Sequence, residues 1–215
     1  MFCFVVLAVL AGGCAGGPSF DPFPTESAPS LATRAGDLNQ FLTLNSLAIL
    51  PIAYDPKLRL VTDDVRAGAE RGLEEAFRRE VDVRFLSSAD VKKVIGAPAG
   101  AGGDPASIGR RLNVDGVLVT TVNQLVERRG SAAGAEQPAA VDFTMRLVRS
   151  SNGAEIWRAV YHYKDEPLSE NLLNLNARLA AGSVASFRSA RDLLTTGFSS
   201  AGRDLAEARQ GSFQR

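Results

Sequence analysis

Cysteine is nearly absent from this chain: the two present, Cys3 and Cys14, both lie within the first fourteen residues. Everything after Cys14 therefore has no disulfide, no thiol nucleophile and no cysteine metal ligand. Histidine is rarer still. The single one, His162, is not enough for a metal site, which needs several ligands, and a general base needs a partner and a pocket. No pattern in the sequence calls for a cofactor or a resident metal. An excess of one charge is also missing, since 24 Lys and Arg face 24 Asp and Glu for zero formal net charge. With no basic stripe either, nucleic acid is excluded as the expected partner. No apolar run reaches the ~20 residues of a transmembrane helix.

The one unbroken run of apolar and small residues covers positions 2–13 and stops at Cys14. That length suits the hydrophobic core of a signal peptide. Ala11, Gly12 and Gly13 stand directly before the cysteine, as lipoprotein signal peptidases require, and the Cys14 thiol is the atom that would receive the lipid. Two features depart from the usual pattern. Ala11 occupies the place where leucine is common, with Leu10 one position further out, and no Lys or Arg precedes the run. Residues 1–14 are accordingly expected to be signal peptide and lipobox, the alternative being a buried strand or helix. Positions 15 to about 36 are rich in Gly, Pro, Ser and Ala without an apolar period. Such a stretch buries too little surface to offset its ordering entropy, so 15–43 is expected to be a flexible tether. Ala15 rather than aspartate follows the cysteine, which by the enterobacterial sorting rule places the protein at the periplasmic face of the outer membrane.

Beyond the tether about 175 of the 215 residues remain, enough for one domain with a full core at 44–210. The near-continuous apolar run 46–54 predicts a central strand covered on both faces, with Pro51 marking a bulge or its end. A helix is expected from Thr62 to about Arg79, acidic in its first turn and basic in its last, with Val65, Ala69, Leu73, Ala76 and Phe77 on one face. Val81, Val83 and Phe85 alternate as a strand. Ser87 or Ser88 caps a short helix through Ile95, and Asp104-Pro105 opens another that ends near Leu112. Val114 begins the next buried strand. This alternation of strands and helices predicts a partly parallel sheet. Strands then follow without helices: Val141, Phe143, Met145 and Leu147 alternate with polar residues, Ser151-Asn152-Gly153 signals a tight turn, and Trp157, Ala159, Tyr161 and Tyr163 share one side of the next strand. A final helix runs from a cap at Ser189 to about Ala208.

Chemistry-bearing motifs are few. His162 shares a strand face with Arg158, opposite the aromatic row, and reads as a surface histidine. The glycine-rich stretch 96–103 lacks the Gly-Lys-Ser/Thr ending of a phosphate-binding loop. Trp157, Tyr161 and Tyr163 could stack sugars if exposed, but core packing is the default for such a row. Two segments stand out as partner-binding candidates. One is the long connection 127–138, with Arg128, Arg129 and Glu136. The other is 167–173, with Glu170 and Asn171 and the amphipathic segment after it, for which a second helix packed on the sheet is the favoured alternative.

The "apolar-Leu-Pro-apolar" form of 46–54, the helix after it, "ASIGRRLNVDGVLV" and "LVRSSNGAEIW" together resemble a superfamily of envelope lipoproteins. It includes the LpoB-type activators of penicillin-binding proteins, the curli secretion lipoprotein CsgG and the N-terminal domain of TolB. "ERRGSAAGAEQPAAVDF" and "PLSENLL" look more specifically like a group of uncharacterised proteobacterial lipoproteins. The resemblance covers about residues 44–208. It implies a single α/β domain, a mixed parallel/antiparallel sheet flanked by helices as in TolB and CsgG, without catalytic residues. CsgG-type pores insert hairpins whose strands need ~9–11 alternating residues, and the 127–138 connection is too short and polar for that. A tether of ~20 residues spans only about 25 Å as a coil, so a partner close to the anchoring membrane is expected. The sequence therefore predicts a non-catalytic outer-membrane lipoprotein that binds protein partners in cell-envelope assembly, export or peptidoglycan synthesis. A self-assembling homo-oligomeric secretion component and a glycan-binding lipoprotein are the alternatives.

Overall fold

A computed structural model of the chain describes residues 29–36, 38–58, 61–96, 103–130, 135–164 and 188–211. The expected lipobox at Cys14, the glycine-rich stretch 97–102 and the segment carrying Glu170 and Asn171 lie outside the described residues. The apolar run 46–54 forms two strands, β2 (Ser46–Ile49) and β3 (Ala53–Tyr54), both parallel to β5 (Gly116–Val126). Pro51 lies in the gap, where it has no amide to donate. Its neighbours keep the ladder: Leu50 N donates to Leu118 O at 3.0 Å and Asp55 N to Val122 O at 2.9 Å.

Helix α2 (Asp63–Glu80) starts on Thr62, whose hydroxyl accepts from Val65 N, and buries Ala69, Leu73, Ala76 and Phe77. The strand after it is shorter than the alternation of Val81, Val83 and Phe85 suggests. The Val81 amide still donates to Phe77 O and closes the helix, so β4 covers only Arg84–Leu86. Helices α3 (Ser88–Ile95) and α4 (Pro105–Leu112) begin on Ser87 and Asp104, both acting through side-chain caps. Strands β8 (Ala140–Arg149) and β9 (Glu155–Lys164) form the expected hairpin, with Gly153 at φ 73° in its turn. The last helix, α5 (Ala190–Gln210), opens with a capping box of Ser189 and Asp192.

With β1 (Ser30–Ala35), seven strands form one sheet in the order β1-β9-β8-β5-β2-β4, with β3 alongside β5. Pairing is parallel among β4, β2, β3 and β5 and antiparallel from β5 to β8, β9 and β1. This is the mixed sheet with flanking helices that the sequence predicts, in a single body. The main core lies between one sheet face and the pair α2 and α5, and includes Leu73, Phe77, Phe143, Trp157, Leu193 and Phe198. A smaller core of Val91, Ile108 and Val117 seats α3 and α4 on the other face.

One boundary differs from expectation. The span 15–43 was expected to be tether throughout, yet β1 (Ser30–Ala35) pairs antiparallel with β9 over six residues, and α1 (Leu38–Leu42) buries Phe41. The inward-facing residues of β1 are Leu31, Thr33 and Ala35, mostly small, so their alternation hardly registers in the sequence. The edge of β9 supplies the hydrogen bonds that order them.

Candidate functional site

The aromatic row resolves first. Trp157, Tyr161 and Tyr163 are 1%, 1% and 5% exposed, packed beneath α5. The Trp157 indole Nε1 donates to Asp204 Oδ2 at 2.8 Å, and the Thr33 hydroxyl donates to Asp204 Oδ1 at 2.9 Å. One carboxylate on α5 thus ties the helix to both β9 and β1. Phe143 stacks on Tyr161 at 5.0 Å and meets Phe198 at 5.0 Å in a tilted contact. The Tyr161 hydroxyl has no hydrogen-bond partner among the described residues, and burial pushes its pKa up to about 12. These rings cannot reach a sugar. Glycan stacking through Trp157, Tyr161 and Tyr163 is therefore ruled out, because the final helix needs that face for its core.

The opposite face of β1, β9, β8 and β5 carries polar residues. Arg34, Arg158 and Arg146 stand side by side in register across three strands. Like charges placed directly opposite repel, and Glu155 relieves part of this. Arg158 donates to its two oxygens at 2.7 and 2.9 Å, and Arg146 lies 3.8 Å away. Those bonds, with the nearby arginine charges, hold the Glu155 carboxyl below its ordinary value despite partial burial. His162 is an exposed strand residue, its Nδ1 3.3 Å from Asp142 Oδ2. Among the described residues no group of three or more His, Cys, Asp and Glu side chains could hold a metal ion. No helix among them is long and apolar enough to cross a membrane.

A third feature joins elements far apart in sequence. The N-terminal half of α2, the end of β5 and the first turns of α5 enclose a cavity of about 620 Å³. Val65, Ala69, Leu125, Leu194 and Phe198 form its apolar wall. At its edge β5 passes into a separate two-stranded arm, β6 (Arg129–Gly130) and β7 (Ala135–Gln137), which corresponds to the long connection singled out at 127–138. Glu127 Oε1 accepts from Ala190 N at 3.3 Å and from Arg128 N at 3.1 Å, so the arm's first acidic residue caps α5. A carboxylate there also suits the positive end of the helix dipole.

Of the candidate partner-binding residues, Arg129 lines this cavity and Arg128 adjoins it in the chain. Glu136 sits in β7 beside Gln137, another lining residue. The structure brings these three to one place, while Glu170 and Asn171 lie outside the described residues. Sequence reasoning missed the cavity's other contributors, Lys57, Asp64 and Arg191. No local signal marks the cavity: Val65 reads in the sequence as part of the apolar stripe of α2, and only the fold shows it 44% exposed.

No protein-family model matches the chain, and no curated protein matches its sequence. Solved structures do match. The PelC dodecamer from Paraburkholderia phytofirmans is 19% identical over 83% of this chain and 97% of its own, with a TM-score of 0.51. Lipoprotein GNA1162 from Neisseria meningitidis is 21% identical over 65% of this chain and 96% of its own, at a TM-score of 0.38. The LpoB C-terminal domain from Salmonella enterica is 14% identical over 57% of this chain and 89% of its own, at 0.35. At these identities the likeness to PelC is one of fold.

Proposed function

We propose that the chain is a non-catalytic lipoprotein, anchored through Cys14 to the periplasmic face of the outer membrane. It binds protein partners in cell-envelope assembly, export or peptidoglycan synthesis. The observation that supports this reading is the β6–β7 arm, which pairs apart from the main sheet, with Arg128 just before it, Arg129 in β6 and Glu136 in β7. An arm that adds nothing to the main sheet is available for recognition. The non-catalytic part rests on the exposed position of His162 beside Asp142 and on the structural use of the buried aromatic row. Crosslinking of the tagged, lipidated protein in cells, followed by mass spectrometry, tests the proposal. One dominant envelope partner with crosslinks on 127–138 is expected, and a pattern with no envelope partner rejects it. The anchor has its own test, since Cys14→Ala is expected to leave the protein unprocessed and without lipid. Normal maturation of that variant ends the anchor proposal.

A second reading is self-assembly. It is favoured by the shared fold with PelC, whose structure is a dodecamer. Native mass spectrometry of the detergent-solubilised protein distinguishes the two, because a monomer at micromolar concentration counts against a ring.

A further inference from the structure

The cavity beside the arm has a chemistry that protein-partner binding does not use. Its wall is apolar and it is open, a costly combination unless something fills it. Gly68 and Gly72 line it on the α2 side. An added Cβ would make an ordinary contact at each, first with the Arg191 guanidinium at 3.6 Å for Gly68 and with Thr195 Oγ1 at 3.7 Å for Gly72. Its volume of about 620 Å³ falls among those that hold small ligands.

Charge at the rim narrows the choice. Lys57, Arg129 and Arg191 line the cavity, and none of them pairs with a described acidic side chain. Two acids line it as well, Asp64 and Glu127. Glu127 accepts from Ala190 N at the start of α5 and from its chain neighbour Arg128 N, and keeps its charge. Three cations thus face two carboxylates, which leaves the rim with one net positive charge. A ligand that fits has an apolar tail for the Val65–Phe198 wall and one anionic head for the rim.

We propose that this cavity binds a long-chain fatty-acid anion, with its chain between α2 and α5 and its carboxylate among Lys57, Arg129 and Arg191. This goes beyond the partner-binding reading and does not depend on it. The carboxylate gains charge-assisted bonds that a neutral head cannot make. Each methylene moved from water into the wall should tighten binding about fourfold until the cavity is full.

The test uses membranes containing the full chain, without ATP so that the probe stays a free acid. A palmitate analogue bearing a diazirine is added, the sample is irradiated, and labelled peptides are mapped. Labelling is expected on peptides containing Val65 to Gly72 and Leu194 to Phe198. Unlabelled palmitate should displace it at least tenfold more effectively than hexadecanol, and laurate more effectively than decanoate. Gly72→Leu fills the space with a better helix former, so it should fold yet lose at least tenfold of the label. Arg129→Gln with Lys57→Gln should remove the preference for acid over alcohol and leave hexadecanol competition unchanged. Four outcomes overturn the proposal: label spread over the open sheet face; equal competition by hexadecanol; stronger labelling of the same peptides by a diazirine phosphatidylglycerol; or unchanged labelling of Gly72→Leu. A photoreactive residue at Val65 that crosslinks to residues 165–187 or to a second copy assigns the space to protein and overturns it too.

Discussion

The same substitution, glycine to alanine, is expected to act with opposite sign at two interior positions of the paired helices. At Gly197 in α5 an added Cβ would stand 2.7 Å from Phe143 Cε1 and 2.8 Å from Tyr161 Cε1. Those rings are fully buried and stacked on each other, so neither can give way by rotating outward. Overpacking costs about 1–3 kcal/mol, and a clash with two immobile rings belongs at the upper end, about 2–3 kcal/mol, while alanine in place of glycine in a helix interior returns about 1 kcal/mol. The net is a destabilisation of about 1–2 kcal/mol. At 2–4 °C per kcal/mol for a chain of this size, the unfolding midpoint should fall by roughly 2–8 °C. At Gly72 in α2 the nearest atom is Thr195 Oγ1 at 3.7 Å, an ordinary contact, so only the helix term remains. Gly72→Ala should raise the midpoint by about 2–4 °C. Thermal unfolding followed by circular dichroism on both variants reads the difference directly. A Gly197→Ala protein that melts at or above the parent temperature would refute the close seat of α5 on the Phe143–Tyr161 pair, and with it the reason those rings are inaccessible.

Two further variants probe the polar ties. Asp115 accepts from Ser46 Oγ at 2.8 Å and from the amides of Ser46 and Asn45 at 2.9 and 3.0 Å, joining the starts of β2 and β5. Burial raises its pKa, but these bonds and the Arg149 charge outweigh that and hold the carboxyl below its ordinary value. The stabilisation is thus fully present above the unfolded carboxyl's pKa of about 3.9 and is lost as pH falls through the lower folded value. Asp115→Asn can turn its amide oxygen to the same three donors, which all bond one carboxylate oxygen, so it keeps the bonds but loses their charge assistance and should cost about 1–2 kcal/mol at pH 7. Urea unfolding at pH 7 and pH 3 should show the gap to the parent narrowing in acid, and a gap independent of pH would contradict the assignment. Trp157→Phe keeps most of the apolar contact but removes the indole donor to Asp204, for an expected loss of about 1–2 kcal/mol by urea unfolding. In a double-mutant cycle with Thr33→Val the two losses should be non-additive, since both donors serve one carboxylate, and strict additivity would speak against that shared tie.

How much was legible in the sequence follows from the range of each signal. Thr62, Ser87, Asp104 and Ser189 announce four helices because a cap acts within three residues of its own position. The alternation in 140–149 and 155–164 marks two strands and their buried faces, because side chains in a strand simply alternate sides. Arg128, Arg129 and Glu136 were visible as candidates because a long polar connection between strands is unusual.

By itself, then, the sequence determined most of the elements from α2 onward, their order and most of their buried positions, all of which depend on neighbours a few residues away. The tertiary structure decided what meets what. It drew 30–35 onto the edge of β9, where small inward residues gave almost no local sign of a strand. It set α5 over Trp157, Tyr161 and Tyr163, deciding that the row is core rather than a sugar platform. It also brought Lys57, Arg129 and Arg191 to the cavity that Gly68 and Gly72 line. Those residues come from three separate parts of the chain, and only the crossing of α2, β5 and α5 makes them neighbours.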